Sequence, residues 1–337
     1  MEQSPNRFPP NAQPLPDPRA ARIVPPEPPS LVSPIALYGR ASLQSGDQQA
    51  VNVKALRNNT PYVIEILEAH FVGEWPLTSG SGGGLAVSAK ITRPKGAPID
   101  VTKGYVPIWL LGKQYDNFAG DGIGLNPIYQ SIVASRYMWS FAYPLRLGPG
   151  ETLDTSFHHK GLISGGCVAH VSYLGRVLKN VRKLNGPRQV PWAAGYVSKA
   201  FDMLSNTADS DTSTEQDLLN PHSVPLELQY LTGWVGVASD DAAYPNADFL
   251  AAEVYYDALR VRLSDSDGHE LIRDPTPFRL AFGAPYHEWS VRGLLPPGGH
   301  MIATVDRVVT DLTYSYSQTY LQAQAHIGLV GTREVRD

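Results

Sequence analysis

Charge is scarce in this 337-residue chain: Asp, Glu, Lys and Arg make up only 18% of it, and the formal net charge is −4. So weak a field would not recruit nucleic acid or an anionic membrane across the whole molecule. Cys167 is the only cysteine, so no disulfide forms within the chain and pairing gives no redox compartment. It stands beside Val168 in an apolar run after two glycines, the setting of a small buried residue rather than a nucleophile. No window approaches the roughly 18 apolar residues of a spanning helix. The opening residues lack the apolar core of a signal peptide. The expectation is a soluble protein made in the cytoplasm.

Catalytic signatures are equally thin. A twin-barrel metal site needs histidines that converge, but His158 and His159 are adjacent and point to opposite faces of a strand. His300 has no partner at the required spacing. The segment from Asp265 starts like a calcium loop, yet its sixth position is Glu270 rather than glycine and its twelfth is Thr276 rather than glutamate. Gly80 to Gly84 is glycine-rich with no Gly-Lys-Ser/Thr after it, so it cradles no phosphate. Neither a Gly-x-Ser-x-Gly elbow nor His-Glu-x-x-His occurs. No pair of carboxylates is marked out by its surroundings, although a glycosidase on a sandwich fold could hide two acids anywhere. Neither an enzyme nor a cofactor is expected.

Glycine and proline, by contrast, are abundant, at 30 and 29. Eleven of the prolines fall in residues 1–34, where the missing N–H and the fixed φ forbid helix and central strand. That segment is read as a tail or an extended arm, with Ile23, Val24, Leu31 and Val32 as the apolar side chains an arm would bury. Beyond it, short apolar runs between turn residues predict strands at 85–91, 107–111, 137–141 and 167–173. Leu321, Ala323, Ala325, Ile327 and Leu329 alternate with Gln322, Gln324, His326 and Gly328, as in a half-buried antiparallel strand. Ser264 to Gly268 predicts a hairpin turn. Tyr314, Tyr316 and Tyr320 share a face if their segment is a strand. They suit a protein interface, with carbohydrate stacking as the alternative.

The chain also reads as two copies of one unit. Residues 61–73 are echoed by 225–236. Ile91 to Pro107 and Val261 to Pro277 are both sixteen steps, and apolar runs ending in Gly112 and Gly283 follow. Trp139-Ser140 precedes the turn ending at Gly150, as Trp289-Ser290 precedes the turn ending at Gly299. His170 to Arg176 matches His326 to Arg333 more loosely. A shared order of four such matches argues for duplication. About eight strands per copy, with no strand–helix alternation, means a sandwich or jelly roll.

The expected layout is all-β: an N-terminal arm (1–34), a first jelly roll (35–177), a linker (178–222) and a second jelly roll (223–337). A basic stretch (Arg176, Lys179, Arg182, Lys183 and Arg188) runs into the linker, which then holds a candidate short helix at 194–205 and an acidic stretch (Asp209, Asp211, Glu215 and Asp217). The basic stretch reads as a solvated face, or as a contact for lipid head groups or nucleic acid. Residues 112–129 are a long loop with almost no counterpart in the second copy.

An arm rich in proline, two jelly-roll-sized copies, a linker and no catalytic constellation resemble the double jelly-roll major capsid proteins of tailless icosahedral viruses, here expected to be bacterial. The resemblance implies barrels side by side, three chains per pseudo-hexagonal capsomer, tower loops at the barrel tops, and termini facing neighbours or an internal membrane. By that analogy 1–34 is the arm, 112–129 a tower or interface loop, and 176–188 an inward-facing basic patch. Implied partners are other copies of the chain, penton or minor capsid proteins and an internal membrane, with no sequence-specific nucleic acid. The implied location is the virion. Low charge suits wide lateral contacts, because buried unpaired charge is costly. The alternatives are a head, collar or tail component of a tailed phage, and a twin jelly-roll protein that binds or hydrolyses glycans.

Overall fold

A computed structural model describes residues 32–43, 50–53, 56–76, 85–117, 132–159, 167–202, 205, 207–238, 258–282, 288–308 and 322–336. The chain divides after Leu31, and Val32–Asp337 forms one compact unit. All described residues lie in that unit.

In the first half the strands are β1 (Val32–Leu43), β2 (Val51–Asn52), β3 (Leu56–Arg57), β4 (Val63–Pro76), β5 (Leu85–Thr92), β6 (Ile99–Asp100), β7 (Val106–Pro107), β8 (Lys113–Asn117), β9 (Ile132–Leu147), β10 (Thr152–His159) and β11 (Cys167–Leu178). One sheet runs β1-β11-β4-β9-β8. The other runs β2-β10-β5-β6, with β3 on β10 and β7 on β5. Pairing is therefore nested: the first strand lies beside the last, the second beside the second-last, and so inward to β5 with β6 and β7. Wound that way across two facing sheets, the chain forms a jelly roll.

The second half repeats this winding. Its strands are β12 (Arg188–Val197), β13 (Phe201–Asp202), β14 (Asp209–Thr212), β15 (Leu218–Leu219), β16 (Leu226–Ala238), β17 (Leu259–Asp265), β18 (Glu270–Pro277), β19 (Glu288–Leu295), β20 (His300–Arg307) and β21 (Gln322–Val335). The sheets run β12-β21-β16-β19, with β13 on β21, and β14-β20-β17-β18, with β15 on β20. Two jelly rolls thus stand in tandem.

The copies share details that topology alone does not require. In β4, Leu67 is an extra residue between Ile66 and Glu68. In β16, Gln229 is an extra residue between Leu228 and Tyr230. Opposite each bulge lies a glycine: Gly175 faces Ile66 and Gly331 faces Leu228. A Cβ on Gly175 would sit 2.0 Å from the Glu65 carbonyl oxygen, and one on Gly331 would sit 2.6 Å from that of Glu227. Close backbone approach at a bulge is what demands glycine there.

Each roll is also stapled by a buried asparagine. Asn58 Nδ2 donates to the carbonyls of Tyr62 (2.8 Å) and Leu147 (3.0 Å), and its main chain exchanges hydrogen bonds with Gly150 and Glu151. Asn220 Nδ2 donates to Val224 and Leu295 (3.0 Å each), and its main chain exchanges hydrogen bonds with Gly298 and Gly299. Gly150 and Gly298 both have φ near +75°, at 80° and 72°, a conformation that suits glycine. The staple ties the start of β4 or β16 to the turn before β10 or β20.

These landmarks correct the register of the repeat. Gly150 matches Gly298 rather than Gly299, and Asn58 matches Asn220, so Pro61 does not match Pro225. Val87 shares its place with Val261, since they pair with the equivalent residues Phe157 and Val305. Pro107 does match Pro277: each lies opposite the residue just before that pair, Ala86 and Arg260.

Three further expectations are overturned. Residues 178–222 are no strandless linker, because β12 to β15 lie within them, and the connection shrinks to 179–187. The span expected to hold a helix at 194–205 begins as the buried end of β12. The strand expected at 107–111 is a single 3₁₀ turn, η1 (Ile108–Leu110). The expected strands at 85–91, 137–141 and 167–173 fall in β5, β9 and β11. Strand β1 begins at Val32, inside the segment read as arm. Ser264 to Gly268 is a hairpin turn, closed by Gly268 N–H donating to the Asp265 carbonyl. The glycine run at 80–84, most of the 112–129 loop, and Tyr314, Tyr316 and Tyr320 lie outside the described residues.

Candidate assembly surface

Among the described residues, strand β1 is an edge of its sheet, with β11 as its ladder partner. Its residues 39, 41 and 43 are buried, while Val32 to Tyr38 alternate between exposed and half-buried. Such an edge is a template for another chain unless something blunts it. Pro34, with no N–H to offer, sits within it, which an edge strand tolerates and a central one does not. Tyr38 is 59% exposed. Its ring stacks on His170 at 6.0 Å, and its hydroxyl lies 2.7 Å from Nδ1 of that histidine.

The basic stretch clusters at the same end of the sheet, for Pro34 is the ladder partner of Arg176 and Val32 that of Leu178. Arg176 and Arg146 both hold the buried Glu65 carboxylate, each through Nη2 and Nε at 2.8–3.0 Å. Lys179 and Lys183 are exposed, and the Arg182 guanidinium lies 5.8 Å from the Tyr62 ring centre. Of the expected interface residues, Val32, Arg176, Lys179, Arg182 and Lys183 thus share one corner. Ile23, Val24 and Leu31 lie outside the described residues.

What β1 looks like when covered can be read from β12, its counterpart. The registers of β1 on β11 and of β12 on β21, aligned through Gly175 and Gly331, place Pro34 with Pro191, Ala36 with Ala193 and Tyr38 with Gly195. Strand β12 is buried along almost its whole length, because the first roll lies against it. Ala193 donates its N–H to the Val101 carbonyl and accepts from the Lys103 N–H. Turn η1 settles on the outer face of the second roll. There Leu110, 0% exposed, approaches Gly195 and Gly328, and its carbonyl accepts from the Thr232 hydroxyl at 3.0 Å. The Tyr230 hydroxyl donates to the Leu111 carbonyl at 2.8 Å. Trp109 packs against Trp234 (4.9 Å) and His326 (5.3 Å).

Charged groups close the ends of this seam. Arg188 and Glu151 form an ion pair with side chains only 1% and 9% exposed, at 2.7 Å. Arg188 also donates to the Arg146 carbonyl. Arg333 Nη2 donates to the Asp100 carbonyl at 2.7 Å, and its guanidinium lies over Trp192. Edge-on to Trp192 at 4.4 Å is His222, which burial and the nearby Arg333 push down to about 4. Because η1 covers its outer side, β21 is buried on both faces from Ala325 to Arg333, not half-buried as its alternation implied.

Asp265, Asp267 and His269 bring three ligand-type atoms within 4.8 Å of one another on the β17–β18 hairpin. Their hydrogen bonds are those of the turn. Asp265 Oδ1 accepts from the N–H groups of Asp267 and His269, and Oδ2 lies 3.1 Å from His269 Nδ1. The structural signals of the surface that sequence reading missed are the seam residues and the two asparagines. A buried Asn a few residues before each long apolar strand, with a turn glycine late in the same roll, was the available trace.

No family model matches the sequence, and neither does any curated protein. Among solved structures the chain is similar to PBCV-1 VP54, whose crystal structure was fitted into a reconstruction of the virophage Sputnik. The TM-score is 0.46 at 10% identity, over 90% of this chain and 94% of that one. It is also similar to a chain from the atomic structure of Sulfolobus Turreted Icosahedral Virus (TM-score 0.40, 10% identity, 90% of each chain). N-glycanase F is matched at TM-score 0.29 and 7% identity, over 91% of this chain and 99% of that one. The chain is a double jelly roll. That assignment rests on its strand order.

Proposed function

We propose that this chain is a major capsid protein of an icosahedral virion, one that associates with copies of itself as trimers of pseudo-hexagonal outline. One observation carries the reading: two equivalent jelly rolls are joined by a buried seam that uses different sides of each roll. The first roll offers its β7–η1–β9 side and the second its β12 side. Among the described residues, each roll therefore leaves the complementary side without a partner strand, β1 on the first and the β18–β19 side on the second. An interface of that head-to-tail kind, repeated between chains, closes into a ring when the rotation allows. Three chains of two rolls each would present six similar flanks for tiling.

The 1–34 arm, the basic corner at Arg176, Lys179, Arg182 and Lys183, and the 112–129 loop are proposed as contacts to neighbouring capsomers and to other virion components. A bacterial host, penton or minor capsid proteins and an internal membrane remain part of the same proposal. Sedimentation and negative-stain imaging of the purified chain test it. Trimers with a six-lobed outline are expected at micromolar concentration, and a protein that stays monomeric up to high concentration would refute it.

A further inference from the structure

We infer that the contact between neighbouring chains follows the register of the seam within each chain, with Leu280 of one chain docking on the outer face of another's first sheet, over the row Tyr38–Ser172–His70. This rests on the self-assembly proposed above and says which residues perform it.

The correspondence follows from register. Asp100 matches Glu270 and Pro107 matches Pro277, through equivalent ladder partners on β5 and β17. The residue three beyond each proline is Leu110 in η1 and Leu280 in the helix α1 (Phe278–Phe282). Within α1, Phe278 and Phe282 are buried in the second core, Phe282 over Gly233. Leu280 points the other way and is 77% exposed, against 0% for Leu110. Leu294 and Leu271, exposed at 70% and 37%, flank the same side of the second roll. Leu271 holds the place of Val101, whose carbonyl receives the Ala193 N–H in the seam. An apolar side chain held out on a stiff one-turn helix, at a position whose twin is fully covered, marks a contact not yet made.

The receiving face is defined the same way. In the seam Leu110 rests on a cross-strand row of Gly195, Gly328 and Thr232. The equivalent row on the first sheet is Tyr38, Ser172 and His70, paired across β1, β11 and β4. There Tyr38, lying over His170, supplies the apolar plate that a glycine floor supplies in the seam. Beside it Ala36 stands at the open edge in the place of Ala193. Its occupant is the backbone of Leu271 to Arg273 from the next chain, as that of Val101 to Lys103 serves Ala193. The occupant is a second copy, because the part that fits is the chain's own β18–α1 side, already shaped like the η1 side that fills this place once.

The test uses the full-length protein with Cys167→Ser. Tyr38→Cys and Leu280→Cys are combined in one chain and treated with a short bis-maleimide, with each single variant as control. The double variant is expected to give covalent dimers and a closed three-chain species, and the single variants neither. In parallel, Leu280→Asp, at an exposed position, is expected to keep the monomer's melting temperature while raising the concentration needed for assembly at least tenfold. Wild-type protein that assembles while Leu280→Asp assembles equally well, and the double variant stays uncrosslinked, overturns this inference alone. Wild-type protein that never associates overturns it together with the proposed function.

Discussion

Removing either asparagine staple offers the sharpest check on the duplicated architecture. Asn220→Ala deletes a buried Nδ2 that donates to the carbonyls of Val224, Leu295 and Pro296 (3.0–3.1 Å), and an Oδ1 that accepts from the His222 N–H. All three carbonyls lose this donor, that of Leu295 in a buried setting and those of Val224 and Pro296 in half-buried ones. Each such loss costs about 1–3 kcal/mol, so about 3–5 kcal/mol is expected, above the usual range for a point substitution. Asn58→Ala deletes the same arrangement in the first roll and should cost the same. At roughly 2–4 °C per kcal/mol, the figure for domains of about 150–250 residues, each variant should melt about 6–20 °C lower. Urea unfolding followed by tryptophan fluorescence reads both rolls, because Trp139 and Trp192 are each buried in one of them. Asn220→Asp keeps the shape and the acceptor but turns a charge toward carbonyl oxygens, and should be at least as damaging as alanine. Costs below about 1 kcal/mol for both alanine variants would refute the claim that these residues hold the two turns.

Gly175→Ala should prevent stable folding, since its Cβ would lie 2.0 Å from the Glu65 oxygen, whereas Gly293→Ala, with nothing within 4 Å, should be silent; thermal melts of both compare them directly. Arg188→Ala leaves Glu151 buried without its partner and should cost about 3–5 kcal/mol, with hydrogen exchange rising first along β12. His222 is held near 4 in the fold against an unfolded value of 6.5, so the unfolded chain binds the extra proton. Stability should therefore fall as pH drops from about 6.5 toward 4, and a His222→Gln variant should show a flatter profile in denaturant titrations across that window.

The duplication and the sandwich class could be read from the sequence, but the register of the repeat could not. Matches such as Trp139-Ser140 with Trp289-Ser290 survive because both pairs face β4 or β16 two and one residues beyond its bulge. The sixteen-step match failed at its first end because the β5–β6 connection is longer than the β17–β18 turn, which shifts the strands while sparing the prolines. Strand β12 was invisible for a physical reason. Period-two alternation signals one wet face, and Val190 to Ala194 have none, being covered on one side by their own core and on the other by the first roll. The short strands β13 to β15 carry too few residues to show any period. Val32 and the basic residues were singled out as candidates by composition, whereas Leu280 stood out only once its covered twin Leu110 was in view.

The nine residues at 179–187 that join the rolls also set an order of events. A tether so short holds the two halves of one polypeptide at millimolar effective concentration, far above any level at which separate molecules meet. Each newly made polypeptide therefore satisfies its internal joint first and is left with one donor flank and one acceptor flank. If the chain assembles as proposed, growth by addition of finished monomers, rather than by exchange of half-folded ones, is the kinetic consequence of that brevity.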